Sequence, residues 1–276
     1  MLIAHLTDLH IRPLGKPAYR VSETNALTER ALDVVAALRP QPDALVITGD
    51  LTDCGLAEEY GLLANLLERI EVPVLLLPGN HDRRETLTAG LTLGPHAVLD
   101  DGFVQFSADL GDIRLIGLDT LLPGQSAGAL CDKRLAFLEK ELAGANGKPV
   151  VIFMHHPPFD CGIIHMDRIR LIEGAEGFRE IVARYPNVER ILCGHHHRPI
   201  TTRFAGTTAQ IAPSVTHQVT LDLAPEGPAT FHMEPPAYYL HSYRAGTGLI
   251  SHMAYVERYP GPYPFVLDAD YPGAQA

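Results

Sequence analysis

Six short apolar runs separated by helix-patterned segments restrict this chain to an alternating architecture. They occupy residues 2–6, 43–48, 72–77, 114–118, 149–154 and 188–193. Runs this continuous in Val, Ile and Leu fit strands covered on both faces. Between the first two, residues 22–39 place Leu27, Ala31, Val34, Val35 and Leu38 at helical spacing, with Ser22 as expected N-cap and Pro40 as the stop. Residues 58–69, 132–142 and 177–185 have the same character. Strand alternating with helix predicts an α/β fold with largely parallel strands.

The style changes after Pro199. Residues 201–206, 207–212 and 217–223 read as short strands with few helical intervals, consistent with a second sheet. From Tyr238 onward lie seven of the ten tyrosines, with Pro260, Pro262, Pro264 and Pro272. The expected organisation is a catalytic domain over 1–234 and a Tyr/Pro-rich arm over 235–276, acting as a cap or a subunit contact. An arm that packs on its own domain is the competing reading. No internal repeat or low-complexity segment interrupts the chain.

The polar residues are concentrated where strands end. The first run leads into Thr7-Asp8-Leu9-His10, the second into Gly49-Asp50 and the third into Gly79-Asn80-His81-Asp82. The fifth leads into His155-His156-Pro157-Pro158 and the sixth into Gly194-His195-His196-His197. Ligands of open α/β sheets bind at the carboxyl ends of strands, so five distant segments bring Asp, Asn and His to one edge. In extended backbone, i and i+2 share a face. Asp8 with His10, and His195 with His197, are thereby aimed together; Leu9 turns to the core, and His196 is expected at the surface or behind the site.

Seven candidate ligands (Asp8, His10, Asp50, Asn80, His156, His195 and His197) exceed what one ion holds beside a substrate. Two ions sharing one carboxylate are therefore expected, suited to clamping both oxygens of an in-line displacement. Imidazole and oxygen donors without thiolate fit Fe, Mn, Zn or Co better than Ca or Mg. The spacing alone leaves His155 and His156 as alternatives.

Composition narrows the partner. With 33 acidic against 22 basic residues, a formal charge of −11, neither nucleic acid nor an anionic membrane is an expected partner. No apolar run approaches the roughly 20 residues of a membrane span, and the first residues do not resemble a signal peptide. Cytoplasmic location is expected. Cys54, Cys131, Cys161 and Cys193 read as free thiols, or else as a disulfide across a subunit interface.

D-x-H, G-D, G-N-H-D, H-H-P-P and G-H-x-H, in that order, resemble the calcineurin-like metallophosphoesterase superfamily over residues 1 to about 200. The start MLIAHLTDLH, with FMHHPP and SVTHQV, is similar to its bacterial glycerophosphodiesterases and class III cyclic nucleotide phosphodiesterases. The resemblance implies two packed sheets flanked by helices, a four-layer αββα fold. It implies Asp8, His10, Asp50 and His197 on one ion. Asp50 would bridge to a second, completed by Asn80, His156 and His195.

Cys54 stands where the family's metal-dependent Ser/Thr protein phosphatases carry an arginine, and the third motif ends in Asp82 where theirs ends in Glu. Loss of that arginine favours a monoanionic diester, although Arg83 or Arg84 could replace it. The expected reaction is hydrolysis of a small phosphodiester by water activated at the ions. Glycerophosphodiesters come first as substrates and cyclic AMP second. A nuclease or a phosphomonoesterase is disfavoured, as is a scaffold without activity.

Asp50 and Asn80 are expected at the reacting phosphate. His81 contacts that phosphate or protonates the leaving oxygen, or alternatively orients Asp8 or a water. His217 reaches the rim of the site, and His165, Met166 and Asp167 shape its entrance. Asp53 and Asp119 are expected to be structural or exposed. A homo-oligomer is expected.

Overall fold

The computed structural model describes residues 1–266 and 270. Two sheets lie face to face. The first has the order β16 (Gly248–Tyr255), β15 (Ala237–Arg244), β1 (Leu2–Leu6), β2 (Ala44–Thr48) and β3 (Val74–Leu77). The second has the order β11 (Ile200–Phe204), β12 (Thr207–Ile211), β10 (Val188–Cys193), β8 (Val150–Met154), β6 (Ile113–Leu118), β5 (Gln105–Leu110) and β4 (Ala97–Val98). Strands β1, β2 and β3 run parallel, as do β6, β8 and β10. Two small ribbons, β7 (Gly128–Ala129) with β9 (Leu171–Glu173) and β13 (Gln218–Val219) with β14 (Phe231–His232), edge the site.

Strand alternation builds the layers. Ile3, Val46, Leu77, Val151, Phe153 and Leu192 point between the sheets into a shared core. Their neighbours Ala4, Leu6, Leu45 and Ile47 face Leu32 and Val35 of α1 (Thr24–Ala37) and Tyr60 and Leu63 of α2 (Ala57–Leu67). On the other side, Ile152, Met154 and Ile191 pack on Leu138 and Leu142 of α3 (Asp132–Gly144) and Phe178 of α4 (Ala175–Ala183). The result is helix, sheet, sheet, helix. Each fully buried Leu, Ile or Phe contributes about 1.5–3 kcal/mol, so both faces of the parallel strands must be apolar.

Three expectations change. Ser22 does not cap α1: Glu23 holds the cap position without a capping side-chain bond among the described residues, and Ser22 is buried. The strands after Pro199 do not make up a second sheet by themselves. β11 and β12 extend the sheet begun by β6, β8 and β10, and among the described residues β13 pairs only with β14, as a two-stranded ribbon.

The third change concerns the segment expected to be an arm beyond 234. Residues 237–244 and 248–255 form a hairpin that completes the first sheet, with Ile3 opposite His241. Tyr238 and Tyr239 are buried, and His241 Nε2 lies 3.2 Å from His5 Nδ1, whose ring bonds Thr48 Oγ1 at 2.9 Å. The expected boundary at 234 thus separates strands of one sheet. Beyond the hairpin, Tyr259, Tyr263 and Phe265 are exposed; residues 267–269 and 271–276, with Tyr271 and Pro272, lie outside the described residues. Among the described residues no helix is long and apolar enough to cross a membrane.

Candidate metal centre

The parallel strands of both sheets end at one edge, and the loops after β1, β2, β3, β8 and β10 meet there. They do not continue as extended backbone. Asp8, His10, Asp50, His195 and His197 all have positive φ, between 46° and 70°. Left-handed conformations of non-glycine residues cost about 1–3 kcal/mol each and cluster at functional sites. The paired side chains therefore converge through tight left-handed turns, not through strand alternation. Leu9 is buried in the core as expected. His196 is buried too, contrary to a surface position, and neither ring nitrogen has a hydrogen-bond partner among the described residues.

Asp8, His10, Asp50 and His197 form one group, with donor atoms within 4.8 Å of one another. His197 Nδ1 lies 2.8 Å from the His217 carbonyl, which only accepts, and His10 Nδ1 lies 3.1 Å from Asp53 Oδ1. Both Nδ1 atoms therefore carry hydrogen, leaving bare lone pairs on the two Nε2 atoms when the rings are neutral. Those Nε2 atoms face each other at 3.2 Å; Asp8 Oδ1 is 3.2 Å from His197 Nε2, and Asp50 Oδ2 is 3.7 Å from His10 Nε2. Four electron-rich atoms converging in this way suit a cation. Burial alone would raise the Asp8 carboxyl, but without metal the His197 ring, in its protonated form, outweighs it and holds Asp8 below the usual range.

His155, His156 and His195 form a second group. His155 Nδ1 is fixed on the Thr48 carbonyl at 2.7 Å, and its Nε2 lies 3.2 Å from Asn80 Oδ1 and 3.4 Å from Asp50 Oδ2. Burial opposes its charge, yet Asp50, with help from Asp8, raises it to about 9. His156 Nδ1 faces the Thr120 hydroxyl at 2.8 Å, and its ring is 4.5 Å from that of His195. Burial holds both of these imidazoles neutral. Neutral, oriented, buried imidazoles are what a metal takes up without displacing a proton.

Asp82 stitches the loops together. Its carboxylate accepts from the N–H groups of Leu51, Thr52 and Gly79 and from the hydroxyls of Thr52 and Tyr60, at 2.9–3.1 Å. Burial and the nearby Asp50 push its carboxyl up to about 6. Gly79 must be glycine: a Cβ there would stand 2.2 Å from Asp50 Oδ1.

Asp53 was expected to be structural or exposed. It instead orients His10, and it pairs with Arg12 at 3.1 Å. Such outer partners are worth 10–100-fold in metal affinity. Asp53→Asn is accordingly expected to weaken manganese binding by about that factor in a calorimetric titration, with an unchanged melting profile. Asp119 is structural, gripping Arg84 at 2.7 and 2.8 Å.

His81 projects between two lobes of a cleft. Its Nδ1 is 2.8 Å from the Asp53 carbonyl, its backbone N–H donates to Asp50 Oδ1 at 2.9 Å, and its side chain is 29 % exposed. One lobe, about 390 Å³, lies over His10, Asp50, His195 and His197 and is walled by Tyr19, Met166 and Phe231. His165 also lines it, whereas Asp167 is turned to its own loop, accepting from the N–H groups of Cys161 and Gly162. His217 is buried in that wall, 4.6 Å from the His197 ring and 5.3 Å from Tyr19. The other lobe, about 530 Å³, lies beyond His81 toward Arg83, Glu85 and Gln125. Asn80, His81 and Ser126 line both.

The model of the calcineurin-like phosphoesterase family matches residues 1–199. The chain belongs to that family. All five motif loops lie inside the matched span. A probable glycerophosphodiester phosphodiesterase of Arcobacter nitrofigilis is 37% identical over 96% of this chain and 97% of its own length. A probable cyclic nucleotide phosphodiesterase of Rhodopseudomonas palustris is 35% identical over 93% of each. Among solved structures, a dimetal phosphatase of Danio rerio shares the fold, with a TM-score of 0.65, 15% identity, and coverage of 93% of this chain and 99% of that one.

Proposed function

We propose that this phosphoesterase hydrolyses small phosphodiesters, glycerol-linked diesters first among them, at a pair of metal ions. Asp8, His10, Asp50 and His197 would hold one ion; Asp50, Asn80, His156 and His195 would hold the other. The nitrogen and oxygen donor set suits Fe, Mn, Zn or Co. When bound, such a pair supplies positive charge for the phosphate oxygens and lowers the pKa of a coordinated water toward neutrality.

The protein's own groups do the rest. Asp53 and the His217 carbonyl keep the His10 and His197 lone pairs aimed inward. With Asn80 Oδ1 turned to the metal, its amide N–H₂ can donate to a phosphate oxygen. His81 Nδ1 is committed to the Asp53 carbonyl, so its Nε2 is the atom that gives a proton to the leaving oxygen.

The observation that carries the diester reading is the cleft with a lobe on either side of His81. A diester has two arms to place, a monoester one. Arg84 is locked to Asp119 and Arg12 to Asp53, so neither is free to hold a dianionic monoester, and Arg83, unpaired among the described residues, lines only the lobe beyond His81 and not the one over the histidine groups. The test compares kcat/KM of the manganese-loaded enzyme on glycerophosphoethanolamine, cyclic AMP and a phosphomonoester. Preference for the glycerol diester is expected. Preference for cyclic AMP, a cyclic nucleotide of the class named for the Rhodopseudomonas relative, would transfer the activity to that diester. Preference for the monoester would overturn the proposal.

The same reading puts the protein in the cytoplasm, supported by four free cysteines. It also has the protein working as a homo-oligomer, supported by the exposed Tyr259, Tyr263 and Phe265.

A further inference from the structure

We propose that Arg83 and Glu85 form a subsite for a zwitterionic alcohol arm of the substrate, one that carries both a carboxylate and an ammonium, as serine does. The inference rests on the diester reading and names what the lobe beyond His81 accepts.

Both side chains are exposed on that lobe, and neither has a hydrogen-bond or ion-pair partner among the described residues. The other charges lining it are engaged. Arg84 is held by Asp119, Asp53 by His10 and Arg12, and Asp82 by the donors of its own loops. Among the described residues one free cation and one free anion therefore remain on this lobe, two residues apart. Their charges cancel over distance, so the lobe offers little to a simple anion or cation. A molecule with both charges satisfies both side chains.

Arg83 is also held in place. Its backbone N–H donates to the Tyr60 hydroxyl at 3.1 Å, and its stem lies over Gly55, where an added Cβ would meet Cγ at 2.6 Å. A guanidinium fixed at its root loses less freedom on binding than a loose one.

His81 stands where the two lobes meet. If its Nε2 protonates the leaving oxygen, the departing alcohol extends into the Arg83–Glu85 lobe and the retained arm stays against Tyr19 and Phe231. The P–O bond to the zwitterionic arm breaks, water supplies the new oxygen on phosphorus, and the arm leaves as an alcohol with the proton from His81. The proton lost by water passes to solvent.

Two measurements test this. Calorimetry on the manganese-loaded protein gives Kd for O-phosphoserine and for inorganic phosphate, and kinetics gives kcat/KM for glycerophosphoserine and for the uncharged-arm diester glycerophosphoglycerol. Arg83→Ala and Glu85→Gln are each expected to reduce the preference for the serine compound by about threefold to fivefold, the scale of one exposed charge pair. The kinetic loss should fall on KM, and Arg83→Lys should restore much of it. Preference ratios unchanged in both variants, or phosphoserine bound no more tightly than phosphate, would overturn the subsite. If no diester is turned over, the diester reading fails, and the phosphoserine-to-phosphate ratio still decides the subsite on its own.

Discussion

Asp50→Ala is expected to lose metal and turnover together, with kcat down by about 10³-fold or more, because several kcal/mol of charge stabilisation at the phosphate disappear. Asp50 is the carboxylate that touches both histidine groups. Its Oδ2 is 3.7 Å from His10 and 3.4 Å from His155, while its Oδ1 holds the backbone of His81. Removal leaves Asp8 as the single carboxylate of the first group and gives the second none. Metal content by mass spectrometry should fall from two ions per chain to one or none.

The fold should survive, because the Asp82 network that ties these loops uses no atom of Asp50. Asp50→Asn separates charge from shape: it keeps an oxygen in place and should also lose most of the activity. A folded Asp50→Ala enzyme that keeps its turnover would sink the shared-carboxylate assignment.

The buried parallel strands were legible because a strand covered on both faces must be a continuous apolar run. β5 was not read, and its sequence explains why: QFSADL is partly exposed, so its signal is broken. AYYLHSYR and GLISHMAY read as arm material because the stretch from Tyr238 onward gathers tyrosine and proline. The Ala-Gly-Thr turn between two runs of eight residues was the available sign of a hairpin. Deeper in the molecule, the His5–His241 contact that joins this hairpin to β1 spans 236 residues, and no local pattern announces it.

At the site, residue types at strand ends named the side chains that the structure gathers. Their approach was not legible, since a left-handed turn at an Asp or His leaves no mark in composition. The work of Asp53 and of the His217 carbonyl was equally hidden. One is the second acid of GDLTD, whose partner His10 lies 43 residues away, and the other is a backbone atom, which every residue has.

His81→Gln is expected to reduce kcat on an alkyl diester by about 10²–10³-fold, within the range of general acid catalysis, and to do far less to a nitrophenyl diester. The reason is the leaving group. An alkoxide is a poor one and needs a proton as the P–O bond breaks, whereas nitrophenolate departs unaided. The surroundings of His81 favour its charged form. Burial opposes protonation, but Asp50, the Asp53 carbonyl, Asp53 and Asp82 together raise the imidazole above its ordinary value.

His81 must carry its proton to act as the acid, so activity should fall as pH rises past the His81 pKa of the metal-loaded enzyme. That alkaline limb should vanish in His81→Gln on the alkyl substrate. If His81 merely orients Asp8 or a water, both diesters should lose activity equally and the limb should remain. The described contacts already oppose that alternative: Nδ1 is spent on Asp53, and no hydrogen bond joins His81 to Asp8 among the described residues. A steep dependence on leaving group in the variant, beside a shallow one in the native enzyme, would fix the proton donor at His81 Nε2.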